Sequence, residues 1–388
     1  MVRYVARIAV VHVPFNSHTE AAIRLSRVLA RQGHEVVAWG ATRYREEIEA
    51  AGARFEHYEP DMPNAFGFMS FVAATAEVAE QRSEQLIEEV HAHDVDLLIH
   101  DSMVLAAQIA GDYLGIPRVV SHPMFPIVVP HRVAFRGEPD PSTIDDRAPR
   151  AQFELRRTSI AQRWGVELEA DQVIHSSGPA TVAYTTDEIV GGVGILPGWH
   201  LVGPLMTLAP PAAPPRERPL VYVCFGTSYN RRVELYHAVI QALANEPVDV
   251  LISRGRDRAW DSLGPLPSNV TVRDYVPNRE ALTSASLHIT HGGCNSVHET
   301  LLAGVPMVCI PQAYDQFPLC GRIQVLGAGL IASESSEEIG AAVRLVLGTE
   351  KATARARDLG EHLSRYDGES KVAEMVDRAL SADPVPAA

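Results

Sequence analysis

Cysteine is scarce in this 388-residue chain: its four thiols, Cys224, Cys294, Cys309 and Cys320, fall in no C-x-x-C pair. That spacing argues against a zinc ribbon and offers no disulfide framework, so a reducing cytoplasm is the expected setting. Basic runs are lacking as well. Lys plus Arg number 34 against 48 Asp plus Glu, a net charge of −14. This is the wrong sign for gripping a nucleic-acid backbone, and nucleic acid is not an expected partner. No apolar stretch approaches the roughly 18 residues of a membrane span. The opening MVRYVARIAVVHVPF is interrupted by Arg7 and His12, so neither a span nor an export signal is read there. No convincing D-x-D loop is present and no G-x-G-x-x-G follows the first strand; GGVGILPG at 191–198 precedes no helix, which disfavours a nicotinamide dehydrogenase.

What the chain does have is alternation. Short apolar runs (RIAVVHV, HEVVAWG, ARFEHY, VDLLIHD, IPRVVSH) are separated by amphipathic stretches at about 20–31, 44–51, 69–91 and 104–114. Strands separated by helices predict a parallel, doubly wound α/β sheet. The proline-rich PLMTLAPPAAPPRERP at 204–219 has no hydrophobic period and reads as a stiff linker. Beyond it the alternation restarts with PLVYVCFG, VDVLISRG, NVTVRDYV, the strand at Leu287 and VPMVCIP, then closing helices after Ser335. The expected organisation is a first domain at 1–203, a linker at 204–219, a second domain at 220–365, and a segment at 366–388 packing back on the first domain. Two such domains would face each other across a cleft, with ligands at the carboxyl ends of the strands.

The densest chemistry lies in HITHGGCNSVHETLLAGVPMVCIPQAYDQF, which starts at His288. The strand-like Leu287–Thr290 breaks at Gly292-Gly293 and resumes with helical spacing of Val297, Leu301 and Leu302. A turn entering a helix exposes unpaired N–H groups at the positive end of the dipole, a place suited to an anion such as a pyrophosphate. Ser296 and Glu299 can also be read as a capping box that needs no ligand. That reading does not use His291-Gly292-Gly293 or Asp315-Gln316.

HGGCNSVHETLLAGVPMVCIPQAYDQ resembles the donor-binding signature of family 1 glycosyltransferases of GT-B fold, most closely their bacterial branch acting on macrolides and other natural products. The resemblance runs over nearly the whole chain in order. It implies the GT-B architecture of two facing Rossmann-like domains. It assigns His291, Gly292 and Gly293 to the donor phosphates, reinforced by Asn295 and Ser296, and Glu299 to the ribose hydroxyls. Asp315 and Gln316 match the pair that holds the donor sugar. DYVPNREAL resembles the family's aromatic-x-P-Q element, with Tyr275 stacking on the base and the Val276 backbone at its edge; Asn278 stands where the family has glutamine. CFGTSY brings Gly226, Thr227 and Ser228 to the phosphates. Cys294 replaces the tryptophan common in plant members and carries no information on the donor.

The first domain then supplies acceptor and base. PFNSHTEAAIRL aligns with the segment ending in G-H-x-N-P, which puts His18 at the catalytic position, although Ser17 replaces glycine and Glu20-Ala21 replace Asn-Pro. DLLIHDSMVLAAQIA matches the segment carrying the partner carboxylate, Asp101. An alcohol becomes a competent nucleophile when a base takes its proton, and a carboxylate orients that base. His12, His100 and His122 are rival bases; His34 fits a turn, and HAHDVD at 91–96 reads as a polar loop rather than a metal site. Phe66, Phe68, Met69, Phe71, Met124 and Phe125 cluster in irregular stretches that would suit an apolar acceptor pocket.

The expected activity is an inverting, metal-independent transfer of a hexose from a nucleoside diphosphate to a hydroxyl of an apolar small molecule such as a polyketide or macrolide. UDP-glucose is the favoured donor, a dTDP-sugar is the other, and no cofactor is needed. The alternatives are a UDP-sugar epimerase or hydrolase of the same fold, or a non-catalytic nucleotide-sugar-binding helper. A monomer or a homodimer is expected.

Overall fold

The computed structural model describes residues 5–62, 68–126, 145–170, 180–191, 198–206, 216–226, 232–255 and 263–381. The chain divides into two compact units. The first is Met1–Tyr184 with Val193–Leu205 and Asp367–Ala388; the second is Thr185–Gly192 with Met206–Tyr366.

The described strands of the first unit are β1 (Arg7–Val11), β2 (Glu35–Gly40), β3 (Ala53–His57), β4 (Leu97–Asp101), β5 (Arg118–His122), β6 (Thr181–Ala183) and β7 (Trp199–Leu201). They lie in the order β3-β2-β1-β4-β5-β6-β7, all parallel. The strand sequences explain why. Successive side chains point to opposite faces, and in RIAVV both faces are apolar, as a sheet covered on two sides requires. Ile8 and Val10 enter a core with Ala21, Leu25 and Leu29 of the helix Asn16–Arg31. Ala9 and Val11 enter a second core with Val72, Ala76 and Leu86 of the helix Phe68–Ala92. Val372, Met375 and Val376 of the helix Gly368–Ser381 join the first of these cores. Its start is tied down where Arg31 donates to the Glu369 carboxylate and Gln32 to the Glu369 carbonyl.

The second unit repeats the plan. Its described strands are β8 (Leu220–Cys224), β9 (Asp249–Ser253), β10 (Val270–Arg273), β11 (Leu287–Thr290), β12 (Met307–Cys309) and β13 (Gly329–Ile331), in the parallel order β10-β9-β8-β11-β12-β13. Winding reverses between β1 and β4 in one sheet and between β8 and β11 in the other. At such a switch point the loops leave adjacent strands in opposite directions and open a crevice at the carboxyl edge.

Two expectations are corrected. The first helix begins at Asn16 rather than near Glu20, because the Thr19 N–H already finds the Phe15 carbonyl at 2.9 Å. Thr185–Gly192, expected with the first domain, clusters with the second unit. Arg322 donates to the carbonyls of Glu188 and Ile189, Arg355 reaches the Glu188 carboxylate, and the Thr185 hydroxyl meets His298 Nε2 at 3.1 Å. Most of the proline-rich segment, 207–215, lies outside the described residues.

Candidate active site

Register places the first cluster. β1 pairs with β4 so that Val11 lies opposite His100, which sets Asp101 at the end of β4 beside the chain leaving β1. That chain turns at once into the helix Asn16–Arg31, whose first turn carries His18. His18 Nδ1 lies 2.6 Å from Asp101 Oδ2, and Oδ1 accepts the Met103 N–H at 2.9 Å. Both residues are buried. Burial alone would push the Asp101 carboxyl up. The net shift is downward, because the charge and hydrogen bond of His18 and the Met103 N–H outweigh it. An ionised Asp101 accepts only, so His18 donates from Nδ1, and in the neutral ring the lone pair falls on Nε2. Nε2 has no hydrogen-bond partner among the described residues.

The rival histidines are placed differently. His12 sits over Gly40, whose missing side chain makes room for the ring, and burial pushes its pKa down to about 4. His100 is held by the Asp101 carbonyl and Arg118, with its pKa pushed to about 3 by burial. His122 packs edge-on to Trp199 at 5.1 Å. Of the apolar set, Phe66 lies outside the described residues. Met69 is buried in the core with Trp39 and Val72, and Phe68 and Phe71 pack half-buried against the same core. Met124 is half-buried and Phe125 buried, just past β5.

The second cluster lies at the other switch point, where Cys224 at the end of β8 pairs with Thr290 of β11. Gly292 takes φ +85° and donates its N–H to Thr290 Oγ1 at 3.2 Å; a side chain there would collide with Cys320 Sγ. A Cβ on Gly226 or Gly293 would stand 2.8 or 2.6 Å from the His291 ring. These glycines leave the space that the His291 ring occupies. Thr227 and Ser228 lie outside the described residues. Burial pushes the His291 pKa down to about 4, opposed by a hydrogen bond to the Cys224 backbone. In the neutral ring that bond uses the single proton, so Nδ1 can donate to a phosphate oxygen only once the ring is protonated, a change that a diphosphate's charge favours.

The helix that follows, Cys294–Leu302, is capped by Gly293 with no side-chain bond and no acidic residue in its first turn. Its leading N–H groups and half-exposed Asn295 are thus presented to the turn without a competing carboxylate. The capping-box reading fails on register: Ser296 is the third helical residue, not the cap. Ser296 Oγ and Glu299 Oε2 instead both accept from Asn278 Nδ2 at 2.9 Å. Asn278 Oδ1 in turn accepts from the Tyr222 hydroxyl at 2.8 Å. This network was not foreseen; its one visible trace was asparagine in the aromatic-x-P-Q position.

Tyr275 is 46% exposed. The Val276 backbone, expected to meet a base edge, is already engaged: its N–H goes to Ser253 Oγ at 3.0 Å and its carbonyl accepts from Tyr222 at 3.3 Å. Asp315 makes no cap bond to the helix Gln316–Leu326 that it precedes. Gln316 Oε1 closes the loop by accepting the N–H groups of Gln312 and Ala313 at 2.9 and 3.0 Å. Between them Tyr314 takes φ +45°, a conformation costly for a bulky residue and characteristic of built sites. Among the described residues no group of three or more His, Cys, Asp or Glu side chains is placed to hold a metal ion, and no helix is long and apolar enough to cross a membrane.

Two parallel Rossmann-like units define the GT-B glycosyltransferase fold. The glycosyltransferase of kitacinnamycin superposes over 97% of this chain and 100% of its own, with a TM-score of 0.84 and 22% identity. Residues 238–378 are similar to the family model of the erythromycin biosynthesis protein CIII-like, C-terminal domain, a match that spans much of the second unit and runs on into the closing helix. Over the full chain the relatives are glycosyltransferases. "Uncharacterized UDP-glucosyltransferase YojK" of Bacillus subtilis (strain 168) is 21% identical across 97% of this chain and 98% of its own. The oleandomycin glycosyltransferase of Streptomyces antibioticus is 25% identical across 97% and 91%.

Proposed function

We propose that the protein is an inverting, metal-independent glycosyltransferase that moves a hexose from a nucleoside diphosphate, UDP-glucose by preference over a dTDP-sugar, to a hydroxyl of an apolar natural product such as a macrolide. The observation that carries this reading is the buried His18–Asp101 pair at 2.6 Å, with Nε2 unpartnered among the described residues. Nε2 takes the proton of the acceptor hydroxyl as its oxygen bonds to the anomeric carbon and the bond to the diphosphate breaks. Asp101 holds the ring in the required tautomer and stabilises the imidazolium. In the second unit His291, Asn295 and the uncapped start of Cys294–Leu302 meet the departing charge, Glu299 meets the ribose hydroxyls, and Asp315 with Gln316 meets the hexose. One displacement at an α-linked donor gives a β-glycoside. The apolar acceptor class is supported by the oleandomycin relative.

The test is incubation with UDP-glucose or a dTDP-hexose and a panel of macrolides, polyketides and phenols, read by mass spectrometry for a hexose adduct and by NMR for its anomeric configuration. A β-linked adduct formed equally in EDTA is the expected result. An α-linkage or loss of activity on chelation overturns the mechanism. Donor hydrolysis or epimerisation with no adduct favours an epimerase or hydrolase, and donor binding without turnover favours a helper.

A further inference from the structure

Asn278 is saturated. An amide nitrogen has two hydrogens, and here one goes to Ser296 Oγ and the other to Glu299 Oε2, both at 2.9 Å. Its oxygen accepts from Tyr222 at 2.8 Å. No donor remains for a ligand. Tyr222 is itself packed on all sides: it is fully buried on β8, its ring stacks on that of His288 at 4.9 Å, and its hydroxyl also reaches the Val276 carbonyl. A continuous hydrogen-bonded chain therefore runs from the interior of the sheet, through the start of the short helix Asn278–Ala281, to two residues of Cys294–Leu302.

Glu299 is the member that gains most. It is a flexible carboxylate, only 9% exposed, and burying such a group is costly unless it is hydrogen-bonded. A charge-assisted bond from a fixed amide offsets that cost and selects one rotamer before any ligand arrives. We propose that Asn278 is a positioning residue that clamps the Glu299 carboxylate, together with Ser296, so that the second unit meets the ring hydroxyls of a nucleoside diphosphate with a preorganised acceptor. This rests on the reading above that Glu299 meets those hydroxyls. The asparagine thereby acts on the nucleoside without touching it.

The test is calorimetric titration of UDP, dTDP and 2′,3′-dideoxyuridine diphosphate into the wild-type protein, Asn278→Ala and Tyr222→Phe, with thermal unfolding of each. The wild type should bind UDP more tightly than the dideoxy nucleotide. Asn278→Ala should weaken UDP by about tenfold, the scale of one charge-assisted hydrogen bond, and Tyr222→Phe should weaken it less. Neither variant should change binding of the dideoxy nucleotide. Equal weakening of both nucleotides would mean that Asn278 only supports the fold, and unaltered UDP binding would mean that the clamp is idle; either result overturns the inference. A wild type that binds the dideoxy nucleotide as tightly as UDP removes Glu299 from the ribose and the clamp with it. A protein that binds UDP with the expected pattern but transfers no sugar faults the function and leaves the clamp standing.

Discussion

The two units share strand order and switch-point position, yet they furnish the same place with opposite chemistry. At the β1/β4 point stands an ionised carboxylate paired with an imidazole, 2.6 Å apart and buried. At the β8/β11 point stand three glycines, a histidine kept neutral by burial, and a helix start with no acidic residue. Topology chooses where a ligand can be met, and side chains choose whether that place moves a proton or receives negative charge.

The sharpest way to break this comparison is to remove the proton chemistry. His18→Ala should lower kcat by roughly 10² to 10⁴, the usual worth of a positioned general base. Asp101→Asn should cost nearly as much, and the double variant little more, since the pair acts as one unit. UDP affinity, measured by calorimetry, should stay near wild type in all three. An active His18→Ala enzyme, or a matching loss of UDP binding, would erase the division of labour. The converse variant, His291→Ala, should raise the donor KM and lower kcat, with kcat/KM falling roughly 10- to 100-fold as expected for a lost hydrogen bond to a charged group. Steady-state kinetics showing an unchanged donor KM and rate would remove His291 from the site.

The smallest effect concerns stability. His12 and His100 in the first unit, and His288 and His291 in the second, have pKa values pushed by burial to about 4, 3, 3 and 4. Each lies below the ordinary 6.5 of an unfolded chain. As pH falls through about 6.5 the unfolded state takes up protons that the folded state refuses, so stability should decline between about pH 6.5 and 3. Asp101 acts in the same direction in a more acidic window: its lowered pKa contributes stability that is lost as pH falls below the ordinary carboxylate range. Because neither ring nitrogen of His12 has a partner among the described residues, His12→Leu should flatten part of the decline in urea-unfolding midpoints. An identical slope would show that His12 is not one of the groups responsible.

How much of this could be seen beforehand follows from how far apart the contributing residues lie. Strands such as RIAVV declare themselves because a sheet covered on both faces needs uninterrupted apolar runs. The meeting of His18 and Asp101 was legible because parallel topology delivers both loops to one edge. The clamp was not: it joins positions 222, 278, 296 and 299, and no local pattern marks a contact made across three elements. Ser296 and Glu299 were open to misreading for a related reason, since their spacing fits a cap and only the true helix start at Cys294 excludes it. Gly226 and Gly293 read as phosphate glycines, and the space they leave for the His291 ring showed only in the fold.

The first unit also contains the helix Gly368–Ser381, which follows the whole second unit in the chain. During synthesis on the ribosome, Leu25, Leu29 and their neighbours wait for Val372, Met375 and Val376, while every strand of the second sheet has already emerged. The half encoded later therefore completes its core earlier, and the half that starts first remains open to chaperones and proteases until the helix Gly368–Ser381 has emerged. Premature termination between Tyr366 and Val376 would accordingly injure the unit at the opposite end of the message.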